Sequence, residues 1–371
     1  MTDPAPIPTL SASAYLDDDV WQWEVEQVFR AGWVPVCRLD QIPRPGDRYA
    51  TTIAGHPVVA VRDDEDVRVL TNVCRHRWST VVEPGCSHGR NLVCPYHRWS
   101  YGPDGRLQAA PLAGAFSFDD VALPTVRHEV WLGFVMVNLD GQAESLATQY
   151  AALDPIVDAY DLENYQTVEQ TDWGVCEWDW KIMVDNFMEC YHHMGPHRGS
   201  LEDQFPASLS YTGEVGDYFT TMWSGQAPGY PAEPPFLAPG AATLSQEQHH
   251  KSLIFIGYPL LQIAMGPAYM YGLKTLPLGA GKIELQLDIC MSPAALAAPG
   301  LEERRSQLVK TICDIHREDL DACTAVQRAV RSGVTGVGRL SHLERPLWEF
   351  YRYLGRELGI IGNTADLAST A

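Results

Sequence analysis

Residues 72–107, NVCRHRWSTVVEPGCSHGRNLVCPYHRWSYGPDGRL, hold two Cys/His pairs, Cys74-x-His76 and Cys94-x-x-His97, with seventeen residues between them. Each pair sits where a hydrophobic run meets a turn-rich loop, so two loops can close on one inorganic centre from opposite sides. The spacing is that of a metal site. Zinc accepts a Cys2His2 set, but zinc fingers usually pair Cys with Cys and His with His. Here each loop supplies one thiolate and one imidazole.

The flanks narrow the choice. Arg75 and Arg77 surround His76, Pro95-Tyr96 lies inside the second pair, and Gly102-Pro103-Asp104-Gly105 reads as a tight hairpin turn. Spacing, order and flanks resemble the Rieske [2Fe-2S] site, where two Cys hold one iron and two His the other. Respiratory Rieske proteins add a second Cys to each loop; Ser79 and Tyr96 stand there in this chain, which looks like the oxygenase or ferredoxin kind. Trp78 and Arg98 depart from the commonest oxygenase pattern, which has Gly at both positions. Bulk and charge beside a cluster act on its potential or on its docking surface.

At 371 residues and 46% hydrophobic content, the chain has room for two or three cored domains. A formal charge of -20 and a pI near 4.9 speak against nucleic-acid binding, which needs basic patches. An acidic face suits a basic electron-transfer partner, although acidity more often serves solubility alone. The longest strongly apolar run, 130–139, is strand-length and far short of a membrane span, and MTDPAPIPTL lacks the charged and apolar regions of a secretory signal. Nine cysteines, two of them in the metal loops, do not resemble a disulfide framework. A cytoplasmic protein with no membrane or nucleic-acid partner is expected.

Residues 1–12 read as a loose arm and 13–30 as a helix ending at Gly32, so that 1–31 precede the first domain. From 32 to 140 the strand-like runs 33–39, 49–55, 57–62, 67–73 and 130–139 predict a small all-β module carrying the metal loops. Residues 141–165 read as a helical, acidic linker. Runs at 166–173, 218–223, 252–258, 261–265, 270–276 and 283–291 then predict an antiparallel sheet in a second domain, 166–362. The Gly- and Pro-rich stretch 224–246 has the length of a lid. Helices are expected at about 301–331 and 346–358, and a frayed tail at 363–371. The class is α+β.

The helix-like segment 180–197, WKIMVDNFMECYHHMGPH, carries a second constellation. Glu189 and His192, three apart, share a helix face, and Gly195-Pro196 can turn His197 back towards His192. A non-haem iron(II) site would add a carboxylate to two imidazoles. The late helix has an apolar stripe of Leu308, Ile312, Ile315, Cys323, Val326 and Val330 with Asp319 in its middle. A buried carboxylate is costly unless paired or metal-bound. Pairing with Arg317 or Arg328 is the plain alternative for Asp319, as a solvated helix end is for the three histidines.

Taken in order, the Rieske loops, D-N-F-M-E-C-Y-H-H-M-G-P-H at 185–197 and E-D-L-D-A-C-T-A-V-Q at 318–327 resemble the α subunit of Rieske non-haem iron oxygenases from about residue 15 to 358. That family joins aromatic-ring-hydroxylating and choline-carnitine monooxygenase-like members. The resemblance implies an N-terminal all-β Rieske domain and a helix-grip-like catalytic domain of antiparallel sheet and helices. It implies Cys74, His76, Cys94 and His97 as ligands of the [2Fe-2S] cluster, and His192, His197 and Asp319 as ligands of the mononuclear Fe(II). Glu189 would bridge the centres of neighbouring subunits, and Asn186 would lie near the iron.

Further implications are O2 activation, a homotrimer, and electrons from NAD(P)H through a separate flavin/iron-sulfur reductase, because the chain has no Gly-rich dinucleotide fingerprint. Glu rather than Asp at 189 looks like the choline, carnitine and proline-betaine branch. The expected reaction is hydroxylation or oxidative demethylation of a small organic substrate such as a quaternary or methylated amine; ring dihydroxylation by a dioxygenase is the alternative. Tyr211, Tyr218, Phe219, Trp223, Phe255, Tyr258, Tyr269 and Tyr271 could cage an ammonium group, line an apolar pocket or fill the core. A pure Rieske electron carrier would need only the first 140 residues. A zinc hydrolase on the second ligand set would leave the Cys/His loops without a role.

Overall fold

Val, Ile and Thr at alternate positions make the region around the first metal loops a β structure. In the computed structural model, which describes residues 7–64, 66–114, 117–231, 239–240 and 243–357, the chain forms two compact units. One spans 29–145; the other joins the segment through 28 to the residues from 146 onward. In the first unit, strands Asp66–Thr71, His56–Asp63, Asp47–Ile53 and Gly85–His88 form an antiparallel sheet in that order. Ala54-Gly55 closes the hairpin between the second and third of these with φ of +44° and +84°, the twist a two-residue loop requires. Arg127–Trp131, Phe134–Asn138 and Val34–Arg38 make a second sheet, and Leu92–Val93, Ser100–Tyr101 and Leu107–Ala109 a third.

The turn after Tyr101 is as tight as its sequence requires. Gly105 has φ +81°, and a Cβ there would come within 2.9 Å of the Leu123 carbonyl oxygen. Val59, Leu70, Leu92, Tyr101 and Leu107 pack together with the two cysteines Cys74 and Cys94, so the metal loops are rooted in the core of this unit.

The second unit is built on a seven-stranded antiparallel sheet in the order Gln166–Cys176, Lys282–Met291, Tyr269–Gly279, Leu261–Met265, Lys251–Gly257, Phe219–Gly225, Ser210–Val215. The sequence pattern does not predict the last of these. SYTGEV is polar, contains Gly213 and lies at the sheet edge, where a strand has little apolar signature. The 31-residue helix Leu301–Arg331 has the expected bounds, and Arg345–Glu357 follows it. The expected linker contains the short helices Leu146–Gln149 and Asp154–Val157.

Three local expectations need correction. The N-terminal helix is divided into Ser13–Leu16 and Asp18–Glu24, followed by a π-helical turn Val25–Phe29. Asp17 causes the break by leaving helical geometry and accepting from Asp19 N–H, 2.8 Å. The arm is tied down within its second half, since Ile7–Pro8 pairs with Arg339–Leu340. Val326 leaves the apolar stripe and is 49% exposed. The tail 363–371 lies outside the described residues, as does the middle of the lid-length stretch 224–246.

The second unit also contains a buried ionic knot. Lys181 Nζ sits 2.5 Å from Glu24 Oε1 and 2.7 Å from Asp179 Oδ1, with all three side chains 1% exposed. Trp180 Nε1–H donates to the other Glu24 oxygen, 2.8 Å. Tyr15 Oη–H donates to Asp185 Oδ2, 2.8 Å, one turn further along. The N-terminal segment thus clamps the helix that precedes the second metal motif. No described helix is long and apolar enough to cross a membrane.

Candidate metal centres

The two Cys/His loops have the same backbone fold. Cys74 N–H donates to the Ser79 carbonyl (2.8 Å) and Trp78 N–H to the Cys74 carbonyl (3.0 Å); Cys94 N–H donates to Trp99 (2.8 Å) and Arg98 N–H to Cys94 (3.1 Å). This bonding forces the fourth residue after each Cys into the left-handed region, with φ +57° at Trp78 and +61° at Arg98. Gly adopts that conformation freely, whereas for other residues it costs roughly 1–2 kcal/mol. Trp78 is 81% exposed, so its ring recovers little of this by packing.

Trp78→Gly and Arg98→Gly are therefore each expected to stabilise the chain in urea denaturation by about 0.5–1 kcal/mol, after the extra freedom of Gly in the unfolded chain is subtracted. A loss of stability in either variant would mean that the side chain, not the backbone, dominates at that position.

Cys74 and Cys94 are each 1% exposed and carry no disulfide, while His76 is exposed and His97 half-buried. The imidazole centroids are 4.5 Å apart, and His76 stacks on Trp99 at 4.8 Å. Tyr101 Oη accepts from Arg75 N–H (3.0 Å), which turns its own proton to Cys74 Sγ at 3.2 Å. Burial, then the neighbouring Cys74, pushes the phenol's pKa up, so the proton stays. Two sulfurs inside and two imidazoles outside suit a [2Fe-2S] cluster, since thiolates in an apolar core need a cation beside them.

In the second unit, Asp179 caps the helix Trp180–Phe187 by accepting from Lys181 N–H, and Trp180, Ile182, Met183, Val184 and Phe187 bury its apolar face. The continuous helix expected through His192 ends at Phe187, and a 3-10 turn, Tyr191–Met194, follows. Glu189 Oε2 accepts His192 N–H at 2.9 Å in place of a backbone carbonyl, and Oε1 lies 2.6 Å from His192 Nδ1. One carboxylate thus replaces the helix and fixes the ring.

Beyond the Gly195-Pro196 turn, His197 Nδ1 lies 2.7 Å from Glu318 Oε2, and its Nε2 is 2.9 Å from Asp319 Oδ1. His192 Nε2 is 3.5 Å from the same oxygen. One donor atom from each of His192, His197 and Asp319 lies within 4.8 Å of the others. Asn186, Glu189 and these three residues share the wall of a small cavity.

The donor chemistry fits a metal. A carboxylate on each Nδ1 keeps the proton there, leaving both Nε2 lone pairs turned towards an anionic oxygen. That arrangement repels unless protons or a cation lie between. Without a metal, burial lowers the His192 pKa, but hydrogen bonds to Asp319 and Glu189 outweigh it and push it up to about 10. Burial would raise the Asp319 carboxyl, yet hydrogen bonds from His192, His197 and His316 hold it well below its usual range. His193 differs: burial pulls it down to about 4, so it stays neutral.

Sequence reasoning did not single out Glu318, His316 or Ser200. Ser200 Oγ–H donates to Glu318 Oε2, 2.5 Å, and His316 Nδ1 meets Asp319 Oδ2 at 3.3 Å. His316 stands one helical turn before Asp319, a spacing visible in the sequence. Arg317, the plain alternative partner for Asp319, pairs with Asp314 instead.

A larger cavity of about 160 Å³ adjoins the donors and is lined by Leu201, Ile254, Met265, Tyr269, Tyr271 and Ile312 among others. Of the eight candidate cage aromatics only Tyr269 and Tyr271 reach it. Phe219, Phe255 and Tyr258 are core, and the faces of Tyr211 and Trp223 are taken by Lys251, 5.1 and 5.6 Å from their centroids.

Comparison with known proteins agrees with this geometry. The carnitine monooxygenase oxygenase subunit of Escherichia coli (strain K12) is 27% identical over 351 residues, 90% of this chain and 87% of that one. The glycine betaine monooxygenase oxygenase subunit of Chromohalobacter salexigens is 32% identical over 186 residues, 49% of this chain; the match spans only 42% of that relative's length. The structure of a quaternary ammonium Rieske monooxygenase shares the fold with a TM-score of 0.81 at 20% identity, covering 96% of both chains. Residues 32–126 match the Rieske [2Fe-2S] domain. Residues 157–359, more than half of the chain, match the catalytic domain of the ring hydroxylating alpha subunit, so the protein belongs to that family of Rieske oxygenases.

Proposed function

We propose that this chain is the terminal oxygenase component of a Rieske non-haem iron system that hydroxylates or oxidatively demethylates a small methylated or quaternary amine. One observation carries the reading: His192 Nε2, His197 Nε2 and Asp319 Oδ1 converge in a chain that also has a Rieske domain. When bound, a cluster on Cys74, His76, Cys94 and His97 would supply electrons, and an iron(II) on His192, His197 and Asp319 would activate O2.

The protein's part is positional. Glu189 and Glu318 hold the two Nδ1–H groups, so that both Nε2 atoms keep one tautomer and one direction. Asn186 adds an amide to the wall of the small cavity. In the larger cavity Tyr269 and Tyr271 are the rings of the candidate set on which a methylated ammonium would rest, with Lys251 in the same wall to favour a substrate that also carries a carboxylate. Relatives named for carnitine and glycine betaine, and Glu at position 189, support the amine.

Electrons would come from NAD(P)H through a separate flavin/iron-sulfur reductase. The active form would be a homotrimer in which Glu189 of one copy faces His76 or His97 of the next.

The test is turnover of glycine betaine, carnitine and choline by the purified chain with a reductase, NADH and ¹⁸O₂. The expected result is consumption of one amine, with label in the hydroxylated product or in released formaldehyde. Glu189→Gln should keep its iron and cluster while turnover falls about 10–100-fold. Formation of cis-diols from arenes with no reaction of any amine would replace the proposal by ring dihydroxylation.

A further inference from the structure

Three spaces adjoin one another in the second unit. The small cavity at the metal donors shares Ile254, Tyr271 and Ile315 with the larger cavity, and the larger cavity shares Gln226, His250 and Lys251 with an open groove. No described residue lines both the small cavity and the groove. Lys251 therefore stands at the mouth of the larger cavity, at the end away from the metal donors. Among the described residues of that cavity's wall it is the one Lys or Arg, and there is no Asp or Glu.

The ammonium group is held from the protein side. Lys251 Nζ–H donates to Tyr211 Oη at 2.6 Å, and Nζ lies over the rings of Tyr211 and Trp223. Gln226 and His250, its neighbours at the mouth, bond to each other, with His250 Nδ1 3.0 Å from Gln226 Oε1. The counter-charge comes from the groove, where Glu247 Oε1 pairs with Lys251 Nζ. The glutamate side chain is 75% exposed and the lysine side chain 20%. Lysine has three N–H donors, and among the described residues the third has no hydrogen-bond partner.

An ion pair with one solvated member is weak, because water and salt screen it and a long side chain must be ordered to make it. A carboxylate that reaches the same ammonium from the cavity side is less screened and interacts more strongly. The lysine thus has a fixed position, a spare donor and a partner that is easily replaced.

We propose that Lys251 seats the carboxylate of the substrate at the mouth of the larger cavity, and that Glu247 is the counter-ion which this carboxylate displaces. The inference rests on taking the larger cavity as the substrate's in the proposed oxygenase. It sets the direction of binding: the acid end stays at the mouth, and the carbon that is oxidised lies at the other end, toward the metal donors. It also narrows the substrate class to amino acids methylated on nitrogen, as against amino alcohols.

The test examines the two ends of the substrate separately, with four probes of nearly one shape. Glycine betaine and choline carry a trimethylammonium group, and 3,3-dimethylbutyrate and 3,3-dimethylbutanol carry a tert-butyl group in its place. The first of each pair ends in a carboxylate and the second in a hydroxyl. Binding of each to the full chain loaded with iron and cluster is measured anaerobically by titration calorimetry, for wild type, Lys251→Met, Lys251→Arg and Glu247→Gln.

Each acid should bind wild type about tenfold tighter than its alcohol, the effect of one hydrogen bond to a charged group. Lys251→Met should lose that preference and Lys251→Arg should keep most of it. Glu247→Gln should bind the acids about two- to fivefold tighter, with no gain for the alcohols, because the competing carboxylate is gone. Equal binding of acids and alcohols by wild type, or a preference that survives in Lys251→Met, would overturn the seat. Acids bound no tighter by Glu247→Gln than by wild type would overturn the displacement. Equal binding of the ammonium and tert-butyl probes would remove the amine reading and leave the carboxylate seat standing. Failure of all four probes to bind would overturn the assignment of the cavity, and the inference with it.

Discussion

Asp319→Ala is expected to lose its mononuclear iron while keeping its cluster, with iron content falling from about three to about two per chain and turnover falling to background. Asp319 is the one oxygen donor towards which both Nε2 atoms turn, and it is 5% exposed. Its removal leaves two imidazoles, too few to hold iron(II) against water. Glu318→Gln should be milder. Among the described residues Glu318 hydrogen-bonds to His197 Nδ1 and Ser200 Oγ and does not face Nε2, so iron affinity should fall about 10–100-fold without loss of the site.

The same geometry predicts a pH dependence for iron loading. In the metal-free chain the carboxylates push His192 up to about 10, so iron entering at neutral pH must displace a proton. Loading should release protons and weaken as pH falls. Retention of full mononuclear iron by Asp319→Ala would show that another residue is the third ligand.

Lys181→Met is expected to destabilise the chain by about 3–5 kcal/mol in chemical denaturation, the cost of breaking a buried ion pair from one side. Lys181 is the cation between Glu24 and Asp179, all three 1% exposed. Burial alone would lower its pKa, and the two carboxylates raise it again, so it is held as the ammonium ion. Without it two carboxylates are buried with no counter-charge.

The sign of the pH dependence follows from Glu24, whose carboxyl burial raises above its usual range even beside Lys181. A raised carboxyl pKa means that the folded state gains by binding a proton. Its contribution is full at low pH and is lost as pH rises through the folded value. The defect of Lys181→Met should therefore deepen from pH 5 to pH 8, and Glu24→Gln in the same chain should recover part of it. A defect independent of pH would mean that lost packing by the lysine stem, not charge, is responsible.

Much of this was legible in the residues because metal ligands have short, rigid spacings. Cys74, His76, Cys94 and His97 lie in one stretch, and the long helix around Asp319 has a clear apolar period that predicts its bounds. The break after Phe187 was not legible, because it depends on the Glu189 side chain taking a backbone N–H, which a helical pattern does not reveal. The edge strand Ser210–Val215 was hidden by its polarity. The aromatic residues were visible but not their directions. Lys251, forty residues from Tyr211, covers that ring, and no local pattern predicts such a pairing. For the same reason His193 read, with the other two histidines, as polar at a solvated helix end, whereas it is buried with its Nδ1–H on the Phe205 carbonyl.

The most direct measurement is anaerobic purification followed by iron and sulfide analysis and EPR of the dithionite-reduced protein. A Rieske-type signal with about three irons and about two sulfides per chain is expected. A Rieske signal with two irons that added Fe(II) does not raise to three, or zinc in place of iron at His192, His197 and Asp319, would contradict it.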